Sequence, residues 1–220
     1  MTILVIGDGM NLQECKDKFG TAHQYIHEAD AAAEDTAADI VMDFTIDEEP
    51  ERAAAYADES DTIYFLNTAK ITLAELAALT GQRPESLWIG FNGLPTFLNR
   101  PLLEVSLLNR EDENRLQEIG NALGTGWQLV DDRVGLVTPR IICMIINEAY
   151  FTVQEGTASR DAIDKGMKLG TNYPYGPFEW CARIGIRHVY EVLEAVYEDT
   201  RDERYKICPL LKREYLLNHV

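Results

Sequence analysis

The chain is short of positive charge. Of its 220 residues, 37 are Asp or Glu and 20 are Lys or Arg, a formal net charge of -17. The shortage is local: residues 1–132 carry 25 acidic and 8 basic side chains, whereas residues 133–220 carry 12 of each. Nucleic-acid binding depends on Lys and Arg neutralising phosphates, so nucleic acid is disfavoured as a partner. The same acidic field keeps the surface solvated and weakens the attraction of smaller phosphate-bearing molecules. Cysteine is scarce as well. Cys15, Cys143, Cys181 and Cys208 are scattered with no Cys-x-x-Cys pair, which excludes a zinc ribbon or disulfide framework and predicts reduced, buried thiols of a cytoplasmic protein. No basic leader precedes the first apolar run, and the run 141–146 is far too short to span a bilayer. A soluble protein with no membrane partner is expected. Missing too are a His-Glu-x-x-His metal motif, a paired metal carboxylate and a Gly-x-Ser-x-Gly elbow, so no metal is expected. His23, His27, His188 and His219 lie in no ligand motif and read as surface or sheet-edge residues. There is no internal repeat and no low-complexity segment. What is present suffices for a globular core: 46% of residues are hydrophobic and mean hydropathy is -0.21.

Residues 1–132 alternate short β-type runs with helical patterns, the order of an α/β domain. Strands are predicted at 3–6, 23–27, 40–45, 62–67, 87–91 and 103–107, with 127–130 closing the sheet. Ala-rich helices are predicted at 51–57 and 73–79. Residues 112–123 carry Leu116, Ile119 and Leu123 on one helical face and stop at Gly124. Polar residues, Gly135 and Pro139 interrupt both periods across 131–139, so the domain boundary is placed at 132/133. Residues 133–220 read as all-helical. Pro139 suits a first turn of a helix to about 155, and Ser159 caps one that ends at Gly170. Further helices are predicted at 177–185, 187–199 and 209–217.

The segment Gly7-Asp8-Gly9-Met10-Asn11-Leu12 follows a strand and precedes a possible helix, the context of a dinucleotide fingerprint. Gly7 and Gly9 supply its first two glycines. The third position is Leu12, and Asp8 puts a carboxylate where pyrophosphate is expected. Glu28 stands at the spacing of roughly 20 residues at which an acid holds a ribose.

A longer pattern lies downstream. Asn147-Glu148-Ala149, Glu155-Gly156-Thr157-Ala158-Ser159, Asp161-Ala162-Ile163-Asp164-Lys165-Gly166-Met167-Lys168-Leu169-Gly170 and Asn172-Tyr173-Pro174-Tyr175-Gly176-Pro177-Phe178-Glu179-Trp180 follow in order. Together they resemble the C-terminal helical domain of the 3-hydroxyacyl-CoA dehydrogenases, closely over 134–186 and only loosely over 1–132. The resemblance implies an α/β Rossmann-like domain followed by an all-α domain of the 6-phosphogluconate-dehydrogenase C-terminal type. It also implies NAD as cofactor and a homodimer formed through the helical domain. By the same resemblance Asp47 falls where the family has a glutamate and Arg52 where it has a lysine near the nicotinamide. The cofactor-binding candidates are therefore Gly7, Gly9, Glu28, Asp47, Arg52 and Asn67. The family's long helical excursion before the third strand, which helps hold CoA, is replaced by the short segment 29–38. Acyl-CoA recognition loses that support.

The family oxidises a 3-hydroxyl with a histidine base held by a glutamate, while a serine and an asparagine bind the substrate oxygen. A base with a near-neutral pKa takes the proton as hydride leaves. Leu66-Asn67-Thr68-Ala69 resembles the serine loop, with Ala69 at the serine. Ile89-Gly90-Phe91-Asn92-Gly93 resembles the histidine loop, with Ile89 at the histidine. Pro139 stands at the asparagine, and Glu104 keeps the orienting acid. Alanine, isoleucine and proline cannot perform the lost roles, and losing general acid–base catalysis alone costs roughly 10²–10⁴-fold. Two readings follow. One is an inactive member of the family serving as a dimeric binding or regulatory protein, with a second copy or an active paralogue as partner. The other is an NAD-dependent oxidoreductase acting on a different, smaller substrate. The first reading predicts that the loop 7–12 packs down on the sheet.

Overall fold

The computed structural model describes residues 1–30, 37–58 and 61–218. The described chain divides into two compact units, Met1–Leu136 and Val137–Val220, within the predicted junction segment 131–139.

In the first unit, seven strands are described: β1 (Thr2–Ile6), β2 (Gln24–His27), β3 (Ile40–Asp43), β4 (Ile63–Asn67), β5 (Leu87–Phe91), β6 (Leu102–Leu107) and β7 (Gly126–Leu129). They form one sheet in the order β2-β1-β3-β4-β5-β6-β7. Neighbours are parallel except β5 and β6, which pair antiparallel with Ile89 opposite Leu107 and Gly90 opposite Ser106. Helices α1 (Gly9–Phe19), α2 (Ala53–Tyr56), α3 (Leu73–Thr80) and α4 (Glu113–Leu123) cover the sheet. One core gathers Ile3, Val5, Phe65, Ile89 and Val105 with Cys15 of α1 and Leu116 of α4. The other gathers Val41, Tyr64, Leu66 and Trp88 with Tyr56 of α2 and Leu76 of α3. β3 and β5 are buried throughout, as expected of parallel strands covered on both faces.

Local chemistry sets the ends. Thr72 and Glu75 form a reciprocal capping box at the start of α3, and Gly81 ends it in the left-handed conformation. Asp132 adds a second cap, accepting the Leu73 and Ala74 N–H groups at 3.0 Å each. Two predicted elements are corrected. The helix expected at 51–57 is split into a 3₁₀ turn at Pro50–Arg52 and the short α2, because the Pro50 ring sets the entry. The strand expected at 40–45 stops at Asp43, whose carboxylate takes the Thr45 N–H at 2.8 Å and turns the chain.

The second unit is helical: α5 (Thr138–Gln154), α6 (Arg160–Gly170), α7 (Pro177–Ile184), α8 (Ile186–Thr200) and α9 (Pro209–Leu217). α5 is its hub, packing on α7 and α8 through Cys143, Ile146 and Tyr150, all buried. Ser159 caps α6, accepting the Ala162 N–H. Asp164 accepts the Phe178 N–H at 2.8 Å and the Glu179 N–H at 3.1 Å, so α6 supplies the cap of α7. A Cβ on Gly176 would stand 2.3 Å from Asp164 Oδ1, which explains the glycine of the Tyr175-Gly176-Pro177 turn. Asn147 plays a similar part, accepting the Cys208 N–H and donating to the Lys206 carbonyl. No described helix is long and apolar enough to cross a membrane.

Candidate functional site

In an open parallel sheet, ligands sit beyond the carboxyl ends of the strands where strand order reverses. Here that point lies between β1 and β3. Gly7 leaves β1 with φ +149°, and Asp8 is the N-cap of α1. The Asp8 carboxylate accepts the Met10 N–H at 2.8 Å and the Asn11 N–H at 2.9 Å. Asn11 returns the bond, its side-chain oxygen accepting the Asp8 N–H at 2.9 Å. This box satisfies the amides that a pyrophosphate would need. The expected collapse of the loop onto the sheet is not what the structure shows: Asp8, Gly9 and Met10 are exposed. The turn stays at the surface and closes on itself, because a local carboxylate reaches the helix start without any backbone collapse. His27, at the end of β2, reaches Gly7 with Nε2 2.9 Å from its carbonyl oxygen. Glu28 begins an exposed 3₁₀ turn just beyond. Residues 31–36, within the segment 29–38, lie outside the described residues, as does His219.

A polar cluster fills the carboxyl end of β3. Asp43 is fully buried; its Oδ2 accepts the Tyr56 hydroxyl at 2.8 Å and Arg52 Nη1 at 3.2 Å. Arg52 also bonds Thr45 Oγ1 and Glu49. Burial and the neighbouring Asp43 carboxylate push the Tyr56 hydroxyl far above the ordinary tyrosine range. Arg52 is thus engaged by its own chain on several sides. Beside it, Asp47 pairs with Lys70 Nζ at 3.1 Å, with both side chains almost wholly withdrawn from solvent. Asn67 donates to the Phe44 carbonyl at 3.0 Å and to Asp47 Oδ2 at 3.3 Å, and accepts from the Gly93 N–H at 3.0 Å. The turns after β3, β4 and β5 are stitched together by this one amide. The parallel pairing of β1 to β4 sets all six cofactor candidates along the same carboxyl edge of the sheet, Gly7 and Gly9 after β1, Glu28 after β2, Asp47 and Arg52 after β3 and Asn67 at the end of β4. The sequence reading missed Asp43, Tyr56 and Lys70. A lone acid ending the apolar run Ile40–Met42 was the available signal for Asp43, and the i, i+4 spacing from Arg52 was that for Tyr56.

Of the four positions assigned to chemistry, Ile89 and Glu104 point to opposite faces of the sheet. Ile89 has no exposed surface and lies in the core with Phe65 and Leu107. Leu103, Val105 and Leu107 of β6 share that core, so the strand's period of two turns Glu104 to the opposite face. Ile89 and Glu104 thus face away from each other. Gly90 does face the side of Glu104, but a Cβ there would stand 2.3 Å from Ser106 Oγ and 2.6 Å from Thr68 Oγ1. No space remains for an imidazole. Ala69 is buried, with its N–H on Asn67 Oδ1 at 3.3 Å. Pro139 lies in the first turn of α5, buried in the helical unit. His23 and His27 flank or end β2, away from these positions; His188 belongs to α8.

The family profile described as 3-hydroxyacyl-CoA dehydrogenase, C-terminal domain, matches residues 135–220. A probable 3-hydroxybutyryl-CoA dehydrogenase of Bacillus subtilis is 30% identical over 153 residues, covering 69% of this chain and 53% of that protein. The 3-hydroxyadipyl-CoA dehydrogenase of Escherichia coli is 42% identical over 88 residues, 40% of this chain and 18% of its own length. The chain therefore spans about half or less of the length of these relatives. Among solved structures, the (S)-3-hydroxybutyryl-CoA dehydrogenase of Ralstonia eutropha superposes with a TM-score of 0.74 at 22% identity, covering 99% of this chain and 94% of that one. That likeness establishes the shared fold.

Proposed function

The chain belongs to the 3-hydroxyacyl-CoA dehydrogenase family, and from that premise we propose that it is a member that does not carry out the family's hydride transfer and serves as a dimeric binding or regulatory protein. One observation carries this reading: neither position that could hold the base can do so. Ile89 is sealed in the core, and Gly90 is pressed against Ser106 and Thr68. Without a group of near-neutral pKa beside the reacting hydroxyl, proton removal has no acceptor. The NAD assigned by family resemblance does not fit the residues at α1, where the Asp8 carboxylate already takes the helix amides.

The helical unit supports the binding half of the reading. Val137, Ile141, Leu169, Leu216 and Leu217 are exposed large apolar side chains. Val137 and Ile141 lie one turn apart at the start of α5, where a second copy of the chain would cover them.

The test has two parts. The purified protein is assayed with (S)-3-hydroxybutyryl-CoA and NAD, and in reverse with acetoacetyl-CoA and NADH. Its mass in solution is measured by light scattering. Background turnover with a dimer mass is the expected result. Turnover of either CoA substrate well above background overturns the non-catalytic reading. Turnover of a smaller keto substrate alone would favour an oxidoreductase of different specificity. A monomer at all concentrations removes the dimer.

A further inference from the structure

We propose that Asp8 is a built-in anion: its carboxylate occupies the N-terminus of α1 and by that occupancy, rather than by its charge alone, excludes a dinucleotide pyrophosphate. This deepens the non-catalytic reading and rests on it, since a nicotinamide-dependent enzyme of this fold would need the place open.

The geometry has three parts. First, the position is the one a pyrophosphate would take. It lies at the carboxyl end of β1, where the sheet order β2-β1-β3 reverses, and α1 is long enough to present an ordered first turn. Second, the donors are already used. Met10 N–H and Asn11 N–H both point to one carboxylate oxygen of Asp8, at 2.8 and 2.9 Å. Leu12 N–H goes to the Asp8 carbonyl at 3.2 Å. A ligand phosphate would have to displace a group held within three residues of the amides, whose local concentration no free anion matches. Third, the box is locked from the other side. Asn11 Oδ1 holds the Asp8 N–H, and a Cβ on Gly7 would stand 2.5 Å from that same oxygen. The Asn11 amide therefore lies over the Gly7 backbone, where the fingerprint glycine normally allows a ligand to approach.

The discriminating substitutions are Asp8→Gly and Asp8→Asn. Glycine is accepted at an N-cap at little cost to the helix, and Asp8 has an extended backbone, φ -90° and ψ 178°, which glycine adopts freely. Asparagine removes the charge but keeps an oxygen on the amides. Circular dichroism and melting of each variant establish that it is folded. NADH is then titrated calorimetrically into all three proteins at low salt. The expected result is no detectable heat for the wild type and for Asp8→Asn at millimolar NADH, and binding at least ten-fold tighter for Asp8→Gly. Micromolar binding by the wild type overturns the inference. So does Asp8→Gly that binds no better than wild type, or Asp8→Asn that gains as much as Asp8→Gly. NADH binding by the wild type without turnover of a CoA substrate overturns this inference alone; turnover overturns the non-catalytic reading as well.

Discussion

The side-chain oxygen of Asn67 accepts the backbone N–H of Gly93 at 3.0 Å, joining the turn after β4 to the turn after β5. The same amide holds Phe44 and Asp47 beyond β3. A Cβ on Gly93 would stand 2.8 Å from Asn67 Cγ, so the two residues are fitted to each other. The persistence of the asparagine in this chain thus has a structural cause. Asn67→Ala leaves buried N–H and C=O groups without partners and is expected to cost about 3 kcal/mol, read as a lower urea midpoint with an unchanged slope. A loss below about 0.5 kcal/mol would mean that water replaces the amide.

Restoring the missing base should fail. Ile89→His places a polar ring in an apolar core and is expected to cost about 3 kcal/mol while leaving acetoacetyl-CoA reduction at background. Thermal melting and the reductase assay check the two halves separately. Any rise in turnover in the folded variant would show that residue 89 reaches substrate.

Glu14 gives the first unit a pH dependence. Its Oε1 accepts the Thr96 N–H at 2.8 Å, while Oε2 and Thr96 Oγ1 are both buried with no hydrogen-bond partner among the described residues. Thr96 itself has φ +75°. Burial holds the Glu14 carboxyl above its ordinary value of 4.5, with the Thr96 N–H opposing and the Asp8 charge adding to the rise. A carboxyl whose folded pKa is raised contributes stability that is present below the unfolded value and lost as pH climbs through the folded value. Glu14→Gln is expected to remove that contribution, raise the melting temperature at pH 8 and flatten the difference between pH 4 and pH 8. An unchanged pH slope in the variant would assign the dependence elsewhere, first to Asp132, whose carboxyl burial also raises.

The thiols should be silent in the native state. All four cysteines are free and buried. Burial pushes Cys15 and Cys143 far above the ordinary thiol range and Cys181 to about 11. Ellman's reagent at pH 8 is expected to detect none before unfolding and all four afterwards. A thiol reacting at once in the folded protein would show an opening that reaches its core.

In the helical unit, Asp164→Ala removes the acceptor of two N–H groups at the start of α7 and is expected to cost about 1–2 kcal/mol. Asp164→Asn keeps an acceptor and should recover most of it. Equal losses for the two, followed by denaturant melts, would assign the effect to the charge.

Much of the fold was legible because its signals are local. An apolar run ending at Gly7 gave β1, and Gly124 ended α4 as expected. Pro139, Ser159 and Pro177 marked helix starts that the structure places within a residue or so. The sites were less legible because they depend on which face of a strand a residue occupies. Glu104 and Ile89 read as partners along the chain, yet β6 pairs with β5 in a register that turns them to opposite sides. The ring of bonds around Asp43 had local signals that went unread, whereas the Lys70–Asp47 pair joins the turns after two different strands and no spacing announces it. Asp8 was visible as an anomaly, but only its distances to Met10 and Asn11 show that it completes the helix rather than merely crowding it.

The Asp164 cap on α7 and the glycine fitted against it belong to the stretch by which the helical unit is recognised. Such positions close the start of a helix and fit one turn against another, which is work done within the helical unit. The stretch that marks the family is thus a folding device of the helical unit, and it would read the same whatever the α/β unit binds or turns over.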